Sequence, residues 1–308
     1  MRAITRVNLC EFEGGAMTRV LVLGVSGMLG HAVFDVLSRA PDLEVFGASR
    51  SRMPQTWPQE RLLSGISALD QDDLLRAVRF ARPDVIINAV GVIKQLESAK
   101  DPLVVVPINT LLPHRLAALA EAIGGRLVHV STDCVFTGNQ GAYRESDPSD
   151  ATDLYGASKH LGEVIDRKAA ITLRTSIIGR ELNSANGLIE WFLRAEPRVK
   201  GFRKAIFSGL PTVELAEVIR DHVLPRPDMS GLYHVSAEPI SKLDLLALAS
   251  EIFDRPAEFD PVDEPRIDRS LNSDRFKAET GYRPAPWRDL LIKMRDLQPR
   301  ASLGASNA

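Results

Sequence analysis

Tyr155-Gly-Ala-Ser158-Lys159 sets a phenol and an ammonium four residues apart, a spacing that puts both on one face of a helix. A free tyrosine keeps its proton up to about pH 10. A neighbouring cation stabilises the tyrosinate and lowers that value. Tyr155 is therefore expected to hand a proton to a carbonyl oxygen, while Lys159 holds down the charge left on the phenol. Such chemistry needs a further donor to polarise the carbonyl. Ser131-Thr132-Asp133, at the end of the preceding strand, supplies one, and Thr132 is the expected group. With four tyrosines and nine lysines in the chain, chance gives the pair's spacing about 0.1 times. Its meaning comes from what stands before it.

Gly24-Val-Ser26-Gly27-Met28-Leu29-Gly30 is a GxxGxxG turn between a strand and a helix. Such a turn brings backbone close to a pyrophosphate, aims amide N–H groups at it and packs helix on strand at the third glycine. Gly24, Ser26, Gly27, Met28, Leu29 and Gly30 are the expected contacts. An acidic residue ending the second strand would hydrogen-bond the ribose of NAD. That strand ends instead in Gly47-Ala-Ser49-Arg50-Ser51-Arg52. Guanidinium groups pair well with a ribose 2′-phosphate, so Ser49, Arg50 and Arg52 favour NADPH, with NADH left open. Asn88-Ala89-Val90-Gly91, at another strand's carboxyl end, is expected against the cofactor, together with Tyr155 and Lys159.

The elements that position these groups are legible as an alternation. Strands are expected over 19–23, 44–48, 85–89, 127–131 and 170–174, and helices over 28–38, 71–80, 111–122 and 157–166. This rhythm implies an α/β fold with a Rossmann-type doubly wound parallel sheet. After Thr175 it breaks into helices over 188–193, 213–222 and 242–253 and a strand over 231–235. The division expected is an NADP-binding domain over 17–175 and a mixed region over 176–298 that completes the sheet and forms a smaller C-terminal substrate-binding lobe. Residues 1–16 read as a disordered extension, with Met17 as an alternative start of translation, and 299–308 as a disordered tail.

Composition narrows the function classes. A net charge of -2, from 38 basic and 40 acidic side chains, offers no field for nucleic acid or an anionic membrane. Cys10 and Cys134 give no disulfide framework and suit a reducing compartment. The six histidines and two cysteines lack metal-ligand spacing, so no metal is expected. Without a run of 18 apolar residues or a signal-like N-terminus, the expectation is a cytoplasmic protein with a small-molecule partner. Oligomeric state is not legible, and a homodimer is left open.

Four segments carry a resemblance: Val130-Ser-Thr-Asp-Cys-Val-Phe-Thr-Gly138, Tyr155-Gly-Ala-Ser-Lys-His-Leu-Gly-Glu163, Leu173-Arg-Thr175 and Gly209-Leu-Pro-Thr212. Over about residues 19–296 the chain resembles the extended short-chain dehydrogenase/reductase superfamily, and within it the dTDP-4-dehydrorhamnose reductases. The resemblance implies a catalytic triad at Thr132, Tyr155 and Lys159. It also implies a nucleotide-linked 4-keto-6-deoxy sugar as substrate, reduced at C4 for cell-surface polysaccharide synthesis. Lys94, Asp133, Val135, Phe136 and Arg174 are the substrate contacts it suggests. Departures fall beside them: Val90 to Gln95 replaces a segment that usually carries an aromatic hydroxyl, Ala205 to Ser208 replaces an Asp-Gln pair, and Cys134 stands where tyrosine is common. Lys94, Arg174 and Arg180 read equally as structural cations. Two alternatives share the fold: an epimerase or dehydratase with retained cofactor, and a non-catalytic NADP-binding regulatory subunit.

Overall fold

The computed structural model describes residues 17–182 and 184–297. The readings of residues 1–16, the tail from 299 and Cys10 lie outside them. The first half runs β1 (Thr18–Leu23), α1 (Met28–Leu37), β2 (Leu43–Ser49), β3 (Leu62–Ser64), α2 (Gln71–Ala81), β4 (Val85–Asn88) and α3 (Pro102–Val105). A π-helical stretch, Val106–Leu111, joins α3 to α4 (Leu112–Ala122), followed by β5 (Arg126–Thr132), α5 (Leu154–Leu161) and β6 (Ala170–Thr175).

The second half begins with β7 (Ile177–Ile178), α6 (Leu188–Arg194), β8 (Arg198–Phe202), β9 (Ala205–Phe207), β10 (Leu210–Pro211) and α7 (Thr212–Val218). It continues through β11 (Gly231–His234), β12 (Ile240–Ser241), α8 (Lys242–Ile252), β13 (Glu258–Val262), β14 (Ile267–Asp268), α9 (Asp274–Thr280) and α10 (Trp287–Asp296).

Seven parallel strands form one sheet in the order β3-β2-β1-β4-β5-β6-β11. The order reverses between β1 and β4, the place where such sheets open a crevice at their carboxyl ends. Near-continuous apolar strands follow from burial on both faces. Val20, Val22 and Ile87 join a core with Phe34 of α1 and Leu215 of α7. Leu21, Ile86 and Leu127 face Leu74 of α2 and Leu112 and Leu116 of α4. The remaining strands make three small sheets: β10 with β7, β12-β9-β14, and β13 with β8.

Local chemistry sets the helix ends. Asp70 caps α2 by accepting from the amides of Asp72 at 2.8 Å and Asp73 at 3.1 Å. Asp153 accepts from Gly156 N at 2.8 Å, so α5 starts at Leu154, and it ends at Leu161 with Gly162 as its cap, rather than filling 157–166 as the periodicity suggests. Asp101 and Pro102 likewise start the helical run that reaches Ala122 well before residue 111. That run, with mean hydropathy 1.5, is long and apolar enough to cross a membrane by length and composition alone. It contains Asn109, His114, Arg115 and Glu121, and Leu112, Leu116, Ala117 and Ala120 bury against the sheet.

Candidate active site

The turn after β1 has the shape that its glycines require. Gly24 has φ +82°, and a Cβ there would press on Ala89 O and Val90 Cγ2, each at 3.0 Å. A Cβ on Gly30 would fall well inside contact distance of the Gly24 carbonyl oxygen, so α1 approaches β1 only because residue 30 is glycine. Gly27 caps α1 without any side-chain bond, and among the described residues no side chain bonds the first-turn amides. This bare helix N-terminus at the sheet's switch point fits a dinucleotide pyrophosphate. Ser26 and Met28 stand on the turn, whereas Leu29 is 6% exposed and packs in the core.

Ser49 is buried, and its hydroxyl donates to Ser51 O. Arg50 and Arg52 are exposed and form no ion pair among the described residues, so both guanidinium groups are free to meet a phosphate. Asn88 turns inward: its Oδ1 accepts from Val90 N and its Nδ2 meets His129 Nδ1, both at 3.1 Å. Its amide therefore shapes the Ala89-Val90-Gly91 turn, and the backbone of that turn borders Gly24.

β5 and α5 bring Thr132, Tyr155 and Lys159 together. The Thr132 hydroxyl donates to Asp133 Oδ1 and accepts from Cys134 N, both at 3.1 Å. Burial pushes the half-buried Tyr155 phenol above its ordinary value, the nearness of Cys134 and Asp133 adds to that, and the Thr132 hydroxyl pulls the other way. Lys159 is 6% exposed and donates to Val130 O at 2.8 Å. Burial lowers its ammonium to about 8, and Glu163 counteracts part of that. The expected lowering of the Tyr155 phenol by Lys159 is thus corrected: desolvation wins, and the phenol holds its proton more tightly. The same desolvation pushes the Cys134 thiol up to about 12.

Three of the suggested substrate contacts have their side chains inside the fold. Val135 and Phe136 are 0% exposed, and Phe136 stacks on Tyr143 with ring centroids 4.0 Å apart. The side chain of Arg174 is 3% exposed and committed to Glu163. Each was drawn inward by packing or by a buried opposite charge. Asp133 is 8% exposed, its carboxyl raised by burial against the pull of Arg269. Lys94 stays at the surface, 2.7 Å from the capping Asp153, and Arg180 pairs with Glu190.

Sequence reasoning missed several residues of this region. Asn109 brackets Val92, accepting from its N at 2.9 Å and donating to its O at 3.1 Å from within the π-helical stretch. Arg269, directly after β14, donates to Phe136 O at 2.7 Å. Ser131 and Glu163 lie buried behind the trio, bonded at 2.7 Å. Glu163 carried a signal, standing four residues after Lys159, and Ser131 stood in the segment read for a carbonyl donor. Among the described residues no group of three or more potential ligands is placed to hold a metal ion.

Residues 17–296 match the family model described as the RmlD substrate binding domain. The spore coat polysaccharide biosynthesis protein SpsK of Bacillus subtilis is 29% identical, over 93% of this chain and 99% of that protein. Methionine adenosyltransferase 2 subunit beta of Xenopus tropicalis is 25% identical, over 87% of this chain and 78% of that protein. A hypothetical dTDP-4-dehydrorhamnose reductase from Sulfolobus tokodaii superposes with TM-score 0.73 at 27% identity, over 88% and 98% of the two chains. A dTDP-4-dehydrorhamnose reductase from Bacillus anthracis, solved with NADP, gives 0.76 at 18% identity over 92% and 100%, a likeness of fold.

Proposed function

We propose that this chain, which belongs to the RmlD substrate binding domain family, reduces the 4-keto group of a nucleotide-linked 4-keto-6-deoxy sugar with NADPH. The observation that carries the reading is the meeting of Thr132, Tyr155 and Lys159 beside a glycine cradle at the carboxyl ends of β1, β4 and β5. Gly24, Gly27 and the first turn of α1 would hold the pyrophosphate, and Arg50 and Arg52 the 2′-phosphate. Bound NADPH supplies the hydride that C4 receives.

Tyr155 keeps its proton at neutral pH because burial raises the phenol, so it is a loaded acid beside the carbonyl oxygen. Thr132, turning its one hydroxyl hydrogen away from Asp133 Oδ1, donates a hydrogen bond to that oxygen, and Lys159, held by Val130 O, compensates the charge left on Tyr155. Lys94 and Asp133 are the groups we assign to the sugar or its phosphates. Placement in the cytoplasm and a part in surface polysaccharide synthesis accompany the reading, the latter supported by the name of the SpsK relative.

A panel of dTDP-, UDP- and GDP-linked 4-keto sugars, assayed with NADPH and with NADH, tests it. Stoichiometric NADPH oxidation with at least one sugar is expected, and no oxidation with any of them rejects the reading. The likeness to a methionine adenosyltransferase subunit favours a second reading, a cofactor-binding regulatory subunit. Absent turnover together with copurification of an adenosyltransferase would establish that one instead.

A further inference from the structure

Three adjacent strands each place one polar residue on a common rung. Ser131 of β5 stands opposite Arg174 of β6, and Arg174 opposite His234 of β11. Glu163, just past the end of α5, bonds to this row. Its Oε1 accepts from Ser131 Oγ at 2.7 Å and Arg174 Nε at 2.9 Å, and its Oε2 accepts from Arg174 Nη2 at 2.6 Å. Arg174 Nη1 donates to His234 Nε2 at 2.9 Å, which leaves His234 Nδ1 to donate to Tyr143 O at 3.0 Å. At the outer end, His160 Nδ1 lies 3.1 Å from Glu163 Oε2.

Burying a carboxylate and a guanidinium costs several kcal/mol of solvation per ion, and an apolar pair of similar volume often holds strands together as well or better. Stability alone therefore does not call for this row. What the row does provide is a carboxylate held in place by Arg174 four residues from Lys159, and a bond to the residue before Thr132.

We infer that Glu163 is a positioning residue for the proposed reduction: its clamped carboxylate keeps Lys159 an ammonium, and its bond to Ser131 pins the strand end that presents Thr132. The inference rests on the reductase reading of the site. Burial draws Lys159 down to about 8, and the Glu163 charge is what draws it up. His129 of β5 also faces Lys159, but its own burial suppresses its charged form. Arg174, His160 and Ser131 in turn hold the Glu163 carboxyl down to about 2.

The test follows the Lys159 side-chain resonance by NMR across pH in the full chain, assigned with Lys159→Met. The midpoint is expected about one unit lower in Glu163→Gln than in the unsubstituted protein, and unmoved in Ser131→Ala, which keeps the charge. With an accepted keto sugar, the lower midpoint leaves Lys159 about half charged at pH 7, so Glu163→Gln should lose kcat by about twofold at pH 7 and about tenfold at pH 9, with KM within about twofold. An unmoved Lys159 midpoint or an unchanged kcat in folded Glu163→Gln overturns the inference. If Glu163→Gln fails to fold, Glu163→Gln/Arg174→Met, which removes both members of the buried Glu163–Arg174 ion pair, carries the same two measurements. The titration needs no substrate, so failure of every sugar in the panel sinks the reductase reading separately.

Discussion

The Lys159 ammonium donates to the carbonyl oxygen of Val130 at 2.8 Å, which fastens α5 to β5 two residues before Thr132. One contact thereby fixes the distance between the helix that carries Tyr155 and the strand that carries Thr132. It also spends one of three ammonium hydrogens on the scaffold and leaves the others for the site. The consequences are measurable.

Tyr155→Phe removes the proton donor while keeping the ring. Turnover should fall by about 10²- to 10⁴-fold, the usual worth of a positioned acid, with NADPH affinity unchanged. Steady-state kinetics together with a fluorescence titration of NADPH check both halves, and normal turnover would remove Tyr155 from the mechanism.

Because burial brings Lys159 to about 8, the cationic form is lost as pH rises through that value. The rate of reduction should therefore fall on the alkaline side with a midpoint near 8. A flat kcat profile up to pH 10 is incompatible with a charged Lys159 in the reaction.

Arg50→Ala and Arg52→Ala each remove a charge-assisted contact worth about 1.5–3 kcal/mol. Each should raise the KM for NADPH by about ten- to a hundredfold and leave that for NADH within about twofold. Equal effects on the two cofactors would dissociate these arginines from the 2′-phosphate.

Gly30→Ala pushes a methyl into the Gly24 carbonyl, against backbone that cannot swing aside. Overpacking of this kind costs about 1–3 kcal/mol or more, so a clear drop in Tm is expected by circular dichroism, with loss of NADPH binding. Wild-type stability would mean the turn is looser than described.

His234 is buried and neutral, with its pKa lowered to about 4 by desolvation and then by the Arg174 charge. The unfolded chain binds the proton more readily, so this contribution to stability is complete above about 6.5 and is lost as pH falls toward 4. The loss amounts to about 3 kcal/mol. His234→Asn should flatten the decline of Tm with pH inside that window. An unchanged slope would assign the acid sensitivity to other groups.

The alternation of apolar strands with amphipathic helices, the GxxGxxG turn and the order Thr132, Tyr155, Lys159 are written in local spacing. These features made the parallel sheet legible and proposed the three side chains at the centre of the candidate site. β3, β7–β10, β12–β14 and α9 were not read, because short strands and helices take their order from partners remote in the chain, whereas α10, as long as α1, was missed although Trp287, Leu290, Leu291 and Met294 recur at helical spacing. β9, for example, is three residues held between β12 and β14.

What the sequence determined by itself is which groups stand on one helix face and where the chain must be glycine, since both follow from backbone geometry within a few residues. What only the tertiary structure decided is the electrostatic state of those groups. Tyr155 and Lys159 look in sequence like a phenol acidified by an ammonium. In the fold, burial raises the phenol, lowers the ammonium to about 8 and hands the balance to Glu163. Arg174 looks like a free cation for phosphate until β6 sets it beside that carboxylate. Desolvation and long-range pairing fix charge, and neither is visible until the strands are assembled.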